Sequence, residues 1–174
     1  PSAGMEYPMV INSNQGAADH ETFHQWIPMM VGTNETRYGW MDEGFNNYSN
    51  ILSGADSAGK PFNINGIGQR YGTISGNEDE PMMMWNANHG GTMYGFQTYQ
   101  KVGMMFSMLG GIVGDDAMNA AIKKFVETWK FKHPQPKDLR SIFEQGDTLK
   151  LNWFFDDLLN STKKLDYHVS RLKK

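Results

Sequence analysis

The feature that most constrains how this chain can fold is a pair of histidines four residues apart, His20 and His24, with Glu21 directly after the first. Residues at this spacing share one face of an α-helix, so both imidazoles can bind one metal ion while Glu21 can reach a water molecule on it. Glu43 follows His24 after eighteen intervening residues, in a segment that we predict to be a second helix. A catalytic zinc usually takes three protein ligands, and two histidines with one glutamate form an established set. The sequence therefore predicts one Zn²⁺ ion bound by His20, His24 and Glu43 on two packed helices.

The spacing of the two histidines allows two other interpretations besides this zinc site. A metzincin-type zinc site requires a glycine and a third histidine after His24. The chain has Ile27 and Met30 at those positions, so this class of site is excluded. The other interpretation is an ordinary amphipathic helix with surface histidines, which does not require a glutamate at position 43. The later glutamate therefore favours the metal site.

The composition indicates one globular domain. The chain has 174 residues, of which 39% are hydrophobic and 13% aromatic, enough to form a buried core. Its formal net charge of −3 gives no electrostatic basis for binding nucleic acid. It contains no cysteine, which excludes disulfides and thiolate ligands and fits a cytoplasmic protein and an exported bacterial protein equally well. The localisation therefore stays open.

The sequence was also searched for the patterns of a membrane segment and of a signal peptide, and neither pattern is found. No apolar run approaches the length of a membrane span, so we predict no membrane segment in this chain. The first residues include neither an initiator methionine nor a signal-peptide pattern. We therefore expect the chain to be a piece of a longer protein, in which flanking domains accompany it.

Hydrophobic periodicity and chain-breaking residues predict a mainly α fold of the α+β class. We predict a short strand over 5–11, a first helix that runs to about 31 unless Pro28 ends it, and a second helix over 38–52. The segment 53–91 is rich in glycine and polar residues and is predicted to be irregular. The other predicted elements are helices over 92–109, 115–129, 137–145 and 151–159 and the beginning of a strand over 165–172, with 110–114 connecting two helices.

Two of the later helices have apolar faces that we expect to be buried in a core. In the helix after Asp115 these residues are Met118, Ala121, Ile122, Phe125, Val126 and Trp129. In the last predicted helix they are Trp153, Phe154, Leu158 and Leu159.

Five segments resemble, in order, the motifs of one known family. Residues 3–7 resemble the exopeptidase motif G-x-M-E-N, and residues 20–26 resemble H-E-x-x-H-x-W. Residues 40–48 resemble W-x-N-E-G-x-x-x-Y, residues 99–103 resemble Y-x-K-G, and residues 151–156 resemble the closing W-F-F-D segment. The chain thus resembles the catalytic domain of the aminopeptidase N family, which consists of zinc aminopeptidases of the gluzincin type.

The resemblance implies a fold and an activity. It implies a thermolysin-like catalytic domain over residues 1–164, followed by the start of a β segment over residues 165–174. The implied activity is a zinc-dependent aminopeptidase, which uses metal-activated water to remove the first residue from peptides with a free N-terminus. The implied zinc ligands are the three that the spacing predicts.

The resemblance also implies roles for individual residues. Glu21 would take a proton from the attacking water and deliver it to the leaving amine. Tyr99 would donate a hydrogen bond to the oxyanion, and Glu6 would pair with the α-ammonium of the substrate. The rest of the substrate-binding segment would be Ala3, Gly4 and Met5.

Some alternatives stay open. Without the family motif, Tyr94, Tyr71 and Tyr48 are candidates for the catalytic tyrosine alongside Tyr99. The chain also departs from the family pattern, since Tyr7 and Asp42 stand where asparagines are usual and Val102 separates Lys101 from Gly103. An alternative function is therefore a catalytically impaired domain that binds peptides or acts as a scaffold. An endopeptidase is a third possibility, and it would have no use for Glu6.

Overall fold

The structure is a computed structural model that describes residues 4–57, 59, 65–78, 80–145 and 150–163. Within these ranges the chain forms helices and one small antiparallel hairpin, which confirms the predicted mainly α fold. None of the helices in these ranges is both long and apolar enough to cross a membrane. The helices are α1 (Ala18–Phe23), α2 (Gly39–Ser57), α3 (Asn65–Ile74), α4 (Gly91–Gly95), α5 (Lys101–Val113), α6 (Asp115–Trp129), α7 (Pro136–Glu144) and α8 (Asn152–Asn160).

The predicted single strand over 5–11 is instead a hairpin. Strand β1 (Met5–Tyr7) pairs with β2 (Val10–Asn12), with Tyr7 opposite Val10. Pro8 and Met9 form the connection, and Met9 has a φ of 67°. Because proline fixes its own φ and offers no backbone N–H, it favours the second position of a turn over the middle of a strand. The prediction of one continuous strand was therefore wrong.

Helix α1 ends at Phe23, well before residue 31. His24 is its C-cap and keeps a helical conformation, with φ −57° and ψ −18°. The chain then continues in turns, in which the Trp26 N–H donates to the Phe23 carbonyl at 2.9 Å and the Val31 N–H to the Trp26 carbonyl at 2.8 Å. Pro28 lacks the N–H that a continuing helix needs. The helical relation between the two histidines survives because His24, one residue past the end of α1, keeps a helical conformation.

Helices α2 and α5 pack closely against each other. A Cβ atom at Gly44 would overlap the side chain of Val102, so only glycine lets the two backbones approach to this distance. Around the crossing, the ring of Phe45 lies 4.5 Å from that of Phe106 and 5.6 Å from that of Phe125, measured between centroids. The buried aromatic rings thus tie α2, α5 and α6 into one core.

The predicted helix over 92–109 is a longer run with a change of pitch inside it. A π-helical turn, Phe96–Gln100, lies between α4 and α5, and the Lys101 N–H donates to the Phe96 carbonyl. The helix then continues through Gly110 and Gly111 to Val113, so the predicted connection at 110–114 is wrong. Gly114, with a φ of 89°, is where the chain turns into α6.

The described parts of the segment 53–91 contain more regular structure than predicted. It contains the end of α2, all of α3 and a 3₁₀ turn over Met82–Met84. Glu78 lies between the last two, and its carboxylate pairs with the Lys101 ammonium at 3.6 Å, with both side chains buried. Burial lowers the pKa of Lys101, and Glu78 opposes that shift. This buried ion pair attaches the segment to the start of α5.

The later helices agree with prediction except at one side chain. In α6, Met118 and Phe125 are fully buried, and the other predicted apolar residues pack against the same core. In α8, the predicted Phe154, Leu158 and Leu159 are buried, whereas Trp153 is 46% exposed. Trp153 lies on the outer face of α8, so its predicted burial was wrong. The predicted strand over 165–172 lies outside the described residues.

Candidate metal centre

The three predicted metal ligands lie together at one point between α1 and α2. The Nε2 atoms of His20 and His24 are 3.3 Å apart, and Glu43 Oε2 is 3.1 Å from the first and 3.4 Å from the second. At a tetrahedral zinc with bonds of about 2.0–2.1 Å, two ligand atoms are about 3.3 Å apart. These three atoms therefore have the spacing of one face of a zinc coordination tetrahedron. We call the arrangement of His20 Nε2, His24 Nε2 and Glu43 Oε2 the metal triangle.

The Nδ1 atoms of the two imidazoles make hydrogen bonds that hold the rings in the orientation that this triangle requires. His20 Nδ1 donates to Asn50 Oδ1 at 2.8 Å. His24 Nδ1 lies 2.7 Å from Asp42 Oδ1 and also donates to the carbonyl of Ile27 at 3.1 Å. All these partners are acceptors, so each Nδ1 carries a proton, and a metal ion that replaces the proton on Nε2 would meet its lone pair at the triangle.

The electrostatics of the triangle favour a positive charge. Burial alone lowers the pKa of His24, but Asp42 and Glu43 outweigh it and raise the pKa to about 11. Burial raises the pKa of Glu43, yet hydrogen bonds from His20, His24 and Tyr99 lower it to about 2. The centre therefore favours a cation over neutrality, and a divalent metal ion would meet that preference in place of a proton.

Glu21 lies beside the triangle under the start of the hairpin. Its side chain is buried, and a Cβ atom at Gly4 would overlap it, so the Gly4 backbone lies directly against the carboxylate. Burial raises the pKa of Glu21, the charge of His20 opposes this, and the neighbouring Glu6 adds to it. A buried carboxylate with a raised pKa is a stronger base than an exposed one and is suited to accept a proton from water.

The hairpin brings part of the predicted substrate-binding segment to this point. Glu6 is buried and interacts with Glu21, and its carboxylate also lies within 4.8 Å of His24 and Asp42 ligand atoms. Met5, by contrast, is 43% exposed on the other face of the strand. Ala3 lies outside the described residues. Two carboxylates in contact repel each other unless a proton or a cation lies between them.

Of the four candidate tyrosines, Tyr99 contacts the triangle most directly. Its ring stacks on His20 with centroids 5.8 Å apart, and its hydroxyl donates to Glu43. Burial and the Glu43 charge raise its pKa, so the hydroxyl keeps its proton and remains a donor. The backbone carbonyl of Tyr99 accepts a hydrogen bond from Asn47 Nδ2 at 2.9 Å.

The other tyrosines are arranged differently. The hydroxyl of Tyr94 lies over Gly39 at the start of α2, and its pKa is raised by burial and by the charges of Glu43 and Asp42. Tyr48 packs on Phe106 in the core, and Tyr71 stacks on Phe96.

The sequence interpretation did not assign the residues that orient the ligands. Asn50 contacts His20 Nδ1, and Asn46 Nδ2 donates to the His20 carbonyl at 2.7 Å. These asparagines follow Glu43 by three and seven residues, the spacing of one helical face. In the sequence, Asp42 stands out only as a departure from the family pattern. A polar stripe of this kind on a helix with buried neighbours was the signal that could have identified them.

The chain was compared with known proteins. The profile described as the Peptidase family M1 domain matches residues 9–158. None of the curated proteins matches the sequence. A crystal structure of an M1 zinc metallopeptidase variant from Deinococcus radiodurans, bound to a Tyr-Ser-Ala substrate, is similar with a TM-score of 0.73 and 17% identity, over 89% of this chain and 35% of that one.

A second similar structure is a two-domain M1 zinc metallopeptidase variant bound to L-tryptophan. It has a TM-score of 0.78 and 16% identity, over 95% of this chain and 38% of that one. The present chain therefore spans little more than a third of either structure, and at these identities the likeness concerns the fold. The thermolysin-like catalytic fold predicted from the motifs is the fold of these neighbours. Since the family profile covers most of the sequence, the chain belongs to peptidase family M1.

Proposed function

We propose that this chain is the catalytic part of a zinc-dependent aminopeptidase. The observation that carries the proposal is the triangle of His20, His24 and Glu43, whose three atoms have the spacing of zinc ligands. Membership of the M1 family and the zinc metallopeptidases among its structural neighbours support a zinc peptidase. The substrates would be peptides with a free N-terminus.

The proposed chemistry divides between the ion and the protein. His20, His24 and Glu43 would hold the zinc ion, which when bound would supply Lewis-acid chemistry to the scissile carbonyl and lower the pKa of a bound water. Glu21 takes the proton of the attacking water and delivers it to the leaving amine, a role supported by its burial and raised pKa. Tyr99 donates a hydrogen bond to the carbonyl oxygen as that atom gains negative charge.

The preference for a free N-terminus would come from Glu6. Its carboxylate lies against that of Glu21, so the pair attracts a cation, and the α-ammonium of a peptide supplies one. The backbone of Gly4 lies against the same carboxylate and leaves no space for a side chain there. A peptide whose amine is held at Glu6 would present its first peptide bond to the metal.

A comparison of free and N-acetylated peptides tests this specificity in the complete gene product. We expect kcat/KM for free peptides to exceed that for their N-acetylated forms by at least about 10²-fold, because an uncompensated buried carboxylate pair is costly. Glu6→Gln should remove most of this preference. Glu35, an exposed loop residue, provides the matched control Glu35→Gln. Equal turnover of both peptides would indicate an endopeptidase, and bound zinc without turnover would indicate a peptide-binding domain.

The contact between Asp42 and His24 leads to a prediction about metal affinity. A carboxylate on the far nitrogen of a ligating histidine makes the ring a better donor, and its loss typically costs 10- to 100-fold in affinity. Asp42→Asn keeps an acceptor at the 2.7 Å contact but removes the charge, so we expect about a tenfold loss of zinc affinity. Competition with a chelator measures it, with the exposed Asp19→Asn as control. Unchanged affinity would mean that the charge of Asp42 does not act on the metal.

A further inference from the structure

The β1–β2 hairpin is too small to hold its own position. Each strand has three residues, and a two-stranded hairpin of this size is marginally stable on its own in water. The hairpin nevertheless presents Glu6 to the metal centre, and Gly4 leads into it. Its outer face is exposed at Met5, Tyr7 and Val10, so packing from that side does not fix it within the described residues. Among the described residues, contacts with the helix side set its position.

One side chain from the helix side binds two backbone groups of the hairpin turn. Gln25 Oε1 accepts from the Met9 N–H at 3.1 Å, and Gln25 Nε2 donates to the Tyr7 carbonyl at 3.1 Å. The two backbone groups are a donor and an acceptor, so they fix which end of the amide faces which group. Only a side chain that carries both a donor and an acceptor satisfies the turn in this way.

These two hydrogen bonds join residues that are adjacent in the sequence to residues of the site. Gln25 directly follows His24, whose Nε2 atom belongs to the metal triangle, and Tyr7 directly follows Glu6. Besides the contacts of the Glu6 carboxylate itself, one amide group thus links the residue after a metal ligand to the residue after Glu6. In an aminopeptidase the substrate fixes the distance from its ammonium group to the scissile carbonyl. A misplacement of Glu6 by about 1 Å relative to the metal centre can therefore cost about 10²-fold in rate.

We propose that Gln25 is a positioning residue that sets the distance between the amine-binding carboxylate of Glu6 and the metal centre, and so makes cleavage selective for the first peptide bond. This inference rests on the proposed aminopeptidase function. Gln25 does not touch the substrate. It acts through the hairpin, whose turn it holds against the end of α1.

The test is Gln25→Leu in the complete gene product, since leucine is of similar size and makes neither hydrogen bond. Two neutral hydrogen bonds correspond to roughly tenfold or somewhat more in an equilibrium constant. We expect KM for free peptides to rise about tenfold and the ratio of free to N-acetylated turnover to fall by the same factor. Zinc content should stay the same, and Tm should fall by no more than a few degrees because two surface hydrogen bonds are lost. The exposed Gln15→Leu, on the loop before α1, is the matched control.

Amide hydrogen exchange provides a second measurement that does not depend on activity. Exchange at the Met9 N–H and along the β1–β2 ladder should accelerate in Gln25→Leu and not in Gln15→Leu. Unchanged exchange overturns the inference, since the hairpin is then held by other contacts. Faster exchange with unchanged selectivity also overturns it and leaves the proposed function intact. If the unsubstituted protein shows no preference for free amines, the proposed function fails first, and the inference about selectivity fails with it.

Discussion

Glu21→Gln is expected to reduce kcat/KM by about 10³-fold while zinc stays bound. Glutamine has nearly the same shape as glutamate, so the packing against the Gly4 backbone should remain. It cannot accept and release a proton, and general-base assistance is worth typically 10²- to 10⁴-fold. None of the three ligand atoms of the triangle comes from Glu21, so metal content should not fall. Kinetics with an aminoacyl substrate and metal analysis of the same sample measure both quantities.

The result separates the enzyme from a binding domain of the same fold. Full metal content together with lost turnover supports Glu21 as the base. The exposed Glu127→Gln on α6, which removes only a long surface pair with Lys123, should behave like the unsubstituted protein. If Glu21→Gln kept most of its activity, another group would have to take the proton, and the proposed mechanism would be wrong.

Tyr99→Phe is expected to reduce kcat by about 10²- to 10³-fold with little change in KM. The substitution removes only the hydroxyl and keeps the ring that stacks on His20. The proposed hydrogen bond forms to a charge that exists mainly in the transition state, so its loss should affect kcat more than substrate binding. Steady-state kinetics on a good aminoacyl substrate provide the measurement, and zinc content should be unchanged.

Two other tyrosines serve as comparisons for this result. Tyr71→Phe, on the ring stacked against Phe96, should leave kcat within a few-fold of the unsubstituted value. Tyr94→Phe tests the nearer alternative, since its hydroxyl lies over Gly39 and feels the charge of Glu43. A large loss in Tyr94→Phe with a small one in Tyr99→Phe would transfer the proposed role to Tyr94.

The parts of the site that local spacing determines could be predicted from sequence. Two histidines four apart need only one helix to face the same way, and the helical conformation of α1 continues through its C-cap, His24. The mainly helical fold, the buried face of α6 and the positions of α7 and α8 followed from periodicity in the same way. In each case the determining interactions lie within a few residues along the chain.

The parts that depend on long-range contacts could not be predicted. The hairpin turn at Pro8 is stabilised by Gln25, which is sixteen residues from Met9. The π-helical turn before Lys101 has no periodicity of its own that distinguishes it from the helices on either side. The α3 helix was missed because glycine and polar residues dominate its sequence, and propensity is a weak indicator where tertiary contacts decide.

The close crossing of α2 and α5 bears on how such a site could be built elsewhere. Gly44 follows the ligand Glu43, and Val102, which fills the space at that glycine, lies three residues after Tyr99. The Val102 side chain packs against the Gly44 backbone, and this one contact lies within about a helical turn of both Glu43 and Tyr99. It therefore sets the register between a metal ligand and the proposed oxyanion donor. A designer who grafts only the side chains onto another scaffold would lose that registration. The unit to transplant is the helix pair, including the position where no side chain is allowed.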